Sequence, residues 1–350
     1  SLLAGGGSLS GAIYHLTDDL WVIPALKAYS QNHACKLVYD EGTTIHSAMK
    51  KNGAANPNAG AVTALPNIMF DKRTKTKIMH NKFLVTEDLS AGTAVPSRVL
   101  CGSANFTTEG LTSQANLLHT FESEALANVY LNRYKLLVED LTVLKTADHA
   151  AWSDPITVGG AGVRVFFSPE PKTERASLNR VVEAIHHAQS SVVFCLFMPT
   201  DAELRDACFA VGDNGKMMFG LVNVISEAAG AGDPNAPGIP SDELAQIELY
   251  HRKHDQKDVV DARFFRAATT PVGFTPEINL FPGDNAPPFP PVIIHHKFIV
   301  IDAETPSPTI YTGSANMSES SQHGNDENLL EIVGSRPLAA AYLAEFLRLY

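Results

Sequence analysis

The chain has 350 residues, 45% hydrophobic and 19% charged, with a formal charge of −11. That length fits one large core or two moderate ones of about 100–200 residues each. The acidic balance gives no global attraction to nucleic acid or an anionic membrane, so a polyanionic ligand needs a local basic site, and no apolar run approaches the roughly 18 residues of a membrane span.

In chain order, SLSGAIYHLTDDL (8–20) reads as a strand, then Thr17-Asp18, then a helix. CKLVYDEG from Cys35 suits a buried strand. The basic run DKRTKTK (71–77) leads into IMHNKFLV (78–85), a further strand, and a polar connection separates this from GSAN (102–105). The segment 123–141 is helical by periodicity. A second series follows: VRVFFSPEP from Val163, the helix SLNRVVEAIHHAQ, the strand SSVVFCLFMPTDAEL (190–204) and KMMFGLVNV from Lys216. Two Gly/Pro-rich stretches, 229–242 and 281–291, read as loops rimming a site. IIHHKFIV (293–300), GSAN (313–316) and the closing helix 337–350 complete the series.

The two series match in order and spacing, which makes the chain an internal repeat. Thr17 and Asp18 match Thr200 and Asp201, and both series end in a helix. The expected organisation is one repeat over 1–155 and a second over 156–350, with an insertion at about 226–292. The strand and helix that open the second series have no counterpart before the first, so either the natural protein is longer or the first copy is shortened. The four cysteines, Cys35, Cys101, Cys195 and Cys208, form no CxxC pair and read as buried thiols. Trp21 and Trp152 read as packing residues. The compartment cannot be read from the sequence.

The chemistry rests on the paired motif. In a strand, residues two apart share a face, so His80 with Lys82 and His295 with Lys297 each form one chemical edge while Ile, Phe and Val fill the core. Two repeats packed about a pseudo-two-fold bring a His and a Lys from each into one pocket. Four such groups suit a phosphodiester: two ammonium groups neutralise its oxygens, one imidazole attacks phosphorus and the other handles the leaving-group proton. No metal and no cofactor is required. Asn105 and Asn316 add amide donors to phosphate oxygens, and Ser103 and Ser314 add local hydroxyls. A lone His-x-Lys is ordinarily a half-exposed strand, and it is the duplication with GSAN that gives the motif weight.

His-x-Lys-x4-Asp with a downstream Gly-Ser-x-Asn resembles the duplicated motif of the phospholipase D superfamily, and the resemblance covers nearly the whole chain. It implies an α/β fold of two homologous repeats, each a mixed sheet flanked by helices, and a metal-independent phosphodiesterase acting through phosphohistidine. The second copy fits fully, with His295, Lys297, Asp302, Gly313, Ser314 and Asn316, and with Glu327 in the place of the family's carboxylate partner for histidine. The first copy departs twice: Glu87, beside Asp88, stands at the aspartate position, which is largely structural in the family. Aligning SQANLL with NDENLL puts Ala115, with Gln114 adjacent, opposite Glu327. The expectation is that Glu327 supports His295 while His80 lacks a carboxylate partner, and that His80 is the nucleophile and His295 the acid/base.

The motifs leave the substrate open. A phospholipid is favoured by the acidic balance and by Phe281 and Phe289 in the Pro-rich insertion, which would allow a peripheral membrane contact. A nucleic acid is the alternative, with the run 71–77 and HRKHDQK (251–257) as its candidate contacts. A non-catalytic member that binds a phosphodiester or a protein is a third reading. Both motifs in one chain predict a monomer.

Overall fold

The computed structural model describes residues 2–4, 7–41, 56–90, 92–262 and 292–350, and their apolar runs build two mixed sheets. The first strands are β1 (Leu9–Ile13), β2 (Cys35–Asp40), β3 (Ile68–Arg73), β4 (Lys82–Ser90), β5 (Thr93–Gly102), the two-residue β6 (Gln114–Ala115) and β7 (Leu118–Glu122). Six of them form a sheet in the order β3-β2-β1-β4-β5-β7. The remaining strands are β8 (Ile156–Val158), β9 (Ala161–Ser168), β10 (Ser191–Leu196), β11 (Met217–Val222), β12 (Val259–Asp261), the short β13 (Ile293–Ile294), β14 (Lys297–Ile301), β15 (Thr309–Gly313) and β16 (Glu327–Val333). The second sheet runs β12-β11-β10-β14-β15-β16-β9-β8. Its first six strands repeat the order of the first sheet, and the parallel and antiparallel pairings match strand for strand.

Period-two alternation on the two motif strands decides what faces what. Phe83 and Val85 of β4 and Phe298 and Val300 of β14 enter one shared core, while Leu84 faces the outer side of the first sheet and Ile299 and Ile301 that of the second. The helices Glu124–Val138 and Arg336–Leu349 contribute Leu126, Tyr130, Leu137, Tyr342 and Phe346 to the same shared core, so both sheets bury their inner faces together. The outer face of the second sheet is covered by Ala176–His186 and Ala202–Asp213. Of the two Asp residues in the matched Thr-Asp pairs, Asp201 is an N-cap, its Oδ1 accepting from Leu204 N at 2.9 Å, and Asp18 Oδ1 accepts from Trp21 N at 2.8 Å in the turn that leads into the helix Val22–Tyr29. All four cysteines are buried and unpaired. Among the described residues no helix is long and apolar enough to cross a membrane.

Several local expectations change. Trp152 packs on Phe166 as expected, with ring centroids 5.5 Å apart, but Trp21 is 53% exposed and is not a packing residue of the core. Arg73, in the run offered as a nucleic-acid contact, does not face solvent. It is fully buried, with Nε 2.8 Å from Asp326, and Arg133 approaches the same carboxylate at 3.3 Å. The stretch 251–257 is the end of the helix Ser241–His251 and a π turn, in which Arg252 pairs with Asp213 and Asp258, and Lys253 and His254 with Glu227. Of the Gly/Pro stretches, 229–242 is a short 3-10 turn and loop running into that helix. Phe281, Phe289 and the rest of 281–291 lie outside the described residues.

Candidate active site

Both His-x-Lys motifs sit where the chain changes sheets. Ahead of the second motif, β13 pairs in parallel with β6, Ile293 opposite Gln114 and Ile294 opposite Ala115. Ahead of the first, Met79 makes the matching bridge to Asp326. From the lysine onward each chain joins its own sheet as β4 or β14. The histidines are therefore not mid-strand, as the alternation argument placed them, but at the junction between cross-sheet pairing and sheet entry. Each is pinned through its backbone to the other sheet's segment: His80 N donates to Asp326 O at 2.9 Å, and His295 N to Ala115 O at 3.0 Å. Asp40 Oδ1 accepts from Met79 N at 2.8 Å and Asn223 Oδ1 from Ile294 N at 3.0 Å, so the matched ends of β2 and β11 hold both junctions.

The histidine partners are crossed. His80 Nδ1 lies 2.8 Å from Glu327 Oε2, not His295, and His295 Nδ1 lies 2.8 Å from Asn116 Oδ1. This reverses the expectation that Glu327 supports His295 and that His80 has no carboxylate. It also corrects the alignment behind that expectation. Gly102 pairs with Leu118 and Gly313 with Leu329, so the spatial counterpart of Glu327 is Asn116, one residue beyond Ala115. Gln114 lies in β6 and touches the site indirectly, its Oε1 3.3 Å from Asn116 Nδ2.

The GSAN segments set this register. Ser103 N donates to Leu117 O at 2.9 Å and Ser314 N to Asn328 O at 3.0 Å. The serine hydroxyls, expected as local donors, clamp the neighbouring strand: Ser103 Oγ donates to Asn116 Oδ1 (2.9 Å), and Ser314 Oγ accepts from Asn328 N (2.9 Å). A Cβ at Gly102 would lie 2.1 Å from Leu117 O, and one at Gly313 would lie 2.3 Å from Asn328 O, so close strand approach explains both glycines. Asn105 and Asn316 keep a buried side-chain oxygen without a hydrogen-bond partner among the described residues. Asp302 caps the entry to β10, accepting from the backbone of Gln189, Ser190 and Ser191, and Glu87 bonds Ser8 Oγ at 2.6 Å at the corresponding edge of β1. Neither is in the pocket, in keeping with a structural role.

Lys82 and Lys297 are fully buried, and each ammonium folds back onto the carbonyl of the histidine two residues earlier, at 2.6 and 2.7 Å. Tyr14, next after β1, meets His80 edge-on at 4.9 Å and lies 5.0 Å from Lys82 Nζ. Phe197, next after β10, stands in the same relation to His295 (5.6 Å) and Lys297 (5.5 Å). Tyr14, Phe197, Asn116, Asp40 and Asn223 were not singled out in the sequence. The repeat held the signal for four of them, since they occupy matched strand ends in AIY/CLF and VYD/LVN.

The electrostatics show that the groups share one field. Burial lowers the Lys82 ammonium to about 7 despite Glu327 and Asp40, and burial together with Lys82 holds Lys297 well below its ordinary value. Burial, Lys297, Lys82 and His80 hold His295 well below 6.5, and burial also lowers His80 against the pull of Glu327. Burial alone would raise Glu327, but His80 and Lys82 outweigh it and keep the carboxylate ionised. Oxygen acceptors on both Nδ1 atoms fix the Nδ1–H tautomer, which leaves both Nε2 atoms bare. Such an arrangement can hold an anion between two lysines, attack it with one imidazole and move a proton with the other. Among the described residues no three His, Cys, Asp or Glu side chains converge as metal ligands.

Residues 181–350 match the family model described as "Cardiolipin synthase, PLD-like domain". Among solved structures, the phosphatidylserine synthase of Haemophilus influenzae Rd KW20 superposes with a TM-score of 0.59 at 14% identity, over 99% of this chain and 81% of that one. The polyphosphate kinase of Porphyromonas gingivalis gives 0.55 at 10% identity, over 99% of this chain but only 46% of its own length, so the chain spans less than half of that enzyme. No curated protein matches the chain in sequence. Residues 181–350 thus match a PLD-like domain, and the chain as a whole shares its fold with these solved structures.

Proposed function

We propose that the protein is a phosphodiesterase of phospholipase D type that needs no metal, and that 1–155 and 156–350 are its two repeats. The observation that carries the reading is the pair of histidines, each held at Nδ1 by a side-chain oxygen from the other repeat and each followed by a buried lysine whose ammonium bonds the histidine's own carbonyl. His80 Nε2 attacks phosphorus, forming the N–P bond as the bond to the leaving oxygen breaks, and His295 gives that oxygen a proton. Water or an alcohol then attacks phosphorus, loses its proton to His295 Nε2, and the N–P bond breaks. Lys82, Lys297, Asn105 and Asn316 hold the phosphoryl oxygens.

The nucleophile is assigned to His80 on a new ground. A phosphorylated imidazole that keeps its Nδ1–H is a cation, and Glu327 is the counter-charge placed to stabilise it. A phospholipid is the favoured substrate. Arg73 of the first basic run and Arg252 and Lys253 of the second are engaged by carboxylates, and the matched family model and the Haemophilus structure carry phospholipid-synthase names. Hydrolysis of bis-p-nitrophenyl phosphate in EDTA, lost in His80→Ala and in His295→Ala, tests the reaction. Parallel assays on phosphatidylcholine vesicles and plasmid DNA test the substrate, and His80-dependent cleavage of DNA alone would overturn the lipid assignment.

A further inference from the structure

The two histidines carry the same tautomer but not the same counter-charge. Asn116 is locked in its orientation: its Nδ2 donates to Gly110 O at 2.9 Å, a carbonyl that can only accept, which turns Oδ1 toward Ser103 Oγ (2.9 Å) and His295 Nδ1 (2.8 Å). Because an amide oxygen only accepts, His295 must donate from Nδ1. The amide therefore fixes the ring as firmly as a carboxylate would but offers no negative charge to an imidazolium.

We propose that Asn116 is a positioning residue that keeps His295 uncharged at rest, so that the acid proton of the reaction is drawn from solvent when the phosphodiester anion enters. The inference rests on the reading of this pocket as a diesterase site. The charged and titratable groups bearing on His295 are Lys297 on its own strand, Lys82 and His80 from the facing motif, and His296 beside it, all of which oppose a further positive charge; Phe197 covers the ring edge-on. Glu327, the carboxylate of the pocket, is engaged by His80, Ser321 and Asn325. An entering diester monoanion supplies the charge that the amide lacks. His295 then takes a proton on Nε2, keeps its Nδ1–H on Asn116, and is ready to protonate the leaving oxygen. His80, backed by Glu327, needs no such uptake to attack.

The test is the ring 15N spectrum of histidine-labelled protein, with His295 assigned from a His295→Gln variant and His80 as the internal reference. Dimethyl phosphate is the probe, because it stays a monoanion throughout the working range. At pH 7 the wild type is expected to show His295 as the neutral Nδ1–H form and to convert to the imidazolium on saturation. In Asn116→Asp the resting titration of His295 should rise by about 1–3 pH units. Asn116→Leu should lose the single tautomer and show exchange between the two neutral forms. A charged His295 in the free wild type, or a neutral one in the diester complex, overturns the proposal without any variant. An Asn116→Asp protein that folds with His295 unshifted overturns it as well. If the spectra behave as expected but no diester is turned over, the functional reading fails and the positioning role stands.

Discussion

Glu327 and His80 are separated by 247 positions in sequence and joined by a 2.8 Å hydrogen bond, with both side chains almost fully buried. The carboxylate is held on its other oxygen by Ser321 and Asn325, each at 3.2 Å, so it is fixed before any ligand arrives.

Replacing that carboxylate by its amide keeps the shape and removes the charge. Glu327→Gln is expected to lower kcat by about 10²–10⁴ with a smaller change in KM, by analogy with the loss of an orienting carboxylate behind a catalytic histidine. Steady-state kinetics on bis-p-nitrophenyl phosphate check it; a loss confined to KM would contradict a role in stabilising the charged ring.

The division of labour can be trapped. In His295→Ala the second step lacks its base, so a phosphorylated intermediate should build up on His80 during turnover of a substrate with a good leaving group. Peptide mass mapping after acid-free quenching locates the added phosphoryl group. Its appearance on His295 in His80→Ala, with none on His80 in the converse variant, would exchange the two roles.

The lysines give the pocket its pH dependence. Lys82 falls from 10.5 to about 7, so the ammonium that receives phosphate is lost as pH rises through about 7 in the free protein. The profile of kcat/KM, which reports the free enzyme, should fall on its alkaline side near that pH, whereas kcat should fall later because bound phosphate restores the charge. The same shift acts on stability with the opposite sign. Between about 7 and 10.5 the unfolded chain holds a proton on Lys82 that the folded one has released, so this residue's contribution favours folding increasingly as pH rises. Urea titrations should show that gain, at most about 1.4 kcal/mol per pH unit, in the wild type and not from this residue in Lys82→Met.

Asp326 sits between two buried arginines, Arg73 and Arg133. Asp326→Asn leaves both without their shared counter-charge and is expected to cost about 3–5 kcal/mol. Urea denaturation measures it, and a loss below about 1 kcal/mol would mean that Asp140, the Leu141 carbonyl and the Thr146 hydroxyl suffice for Arg73.

Much of this was readable in the letters. The repeat, the strand–Asp–helix openings, the closing helices and the four His and Lys residues follow from patterns that local chemistry dictates. What failed was register. Asn116-Leu117-Leu118 matches Asn328-Leu329-Leu330 by letter, yet strand pairing is set by backbone hydrogen bonds and aligns Leu118 with Leu329. A slip of one residue exchanges the side chains of the two faces, which hid Asn116 behind Ala115. The crossing of partners was invisible for a different reason: each carboxylate or amide lies in sequence beside its own motif, and only the packing of the two sheets decides which histidine it meets. Arg73 likewise read as part of a candidate nucleic-acid contact until its partner arrived from position 326.

The crossed partners also bear on how the protein could be divided. A fragment ending near residue 155 would hold His80 and Asn116 but not Glu327, and the complementary fragment would hold His295 and Glu327 but not Asn116. Neither piece could set the tautomer of its own histidine, so co-expression of the two should rescue what neither delivers alone.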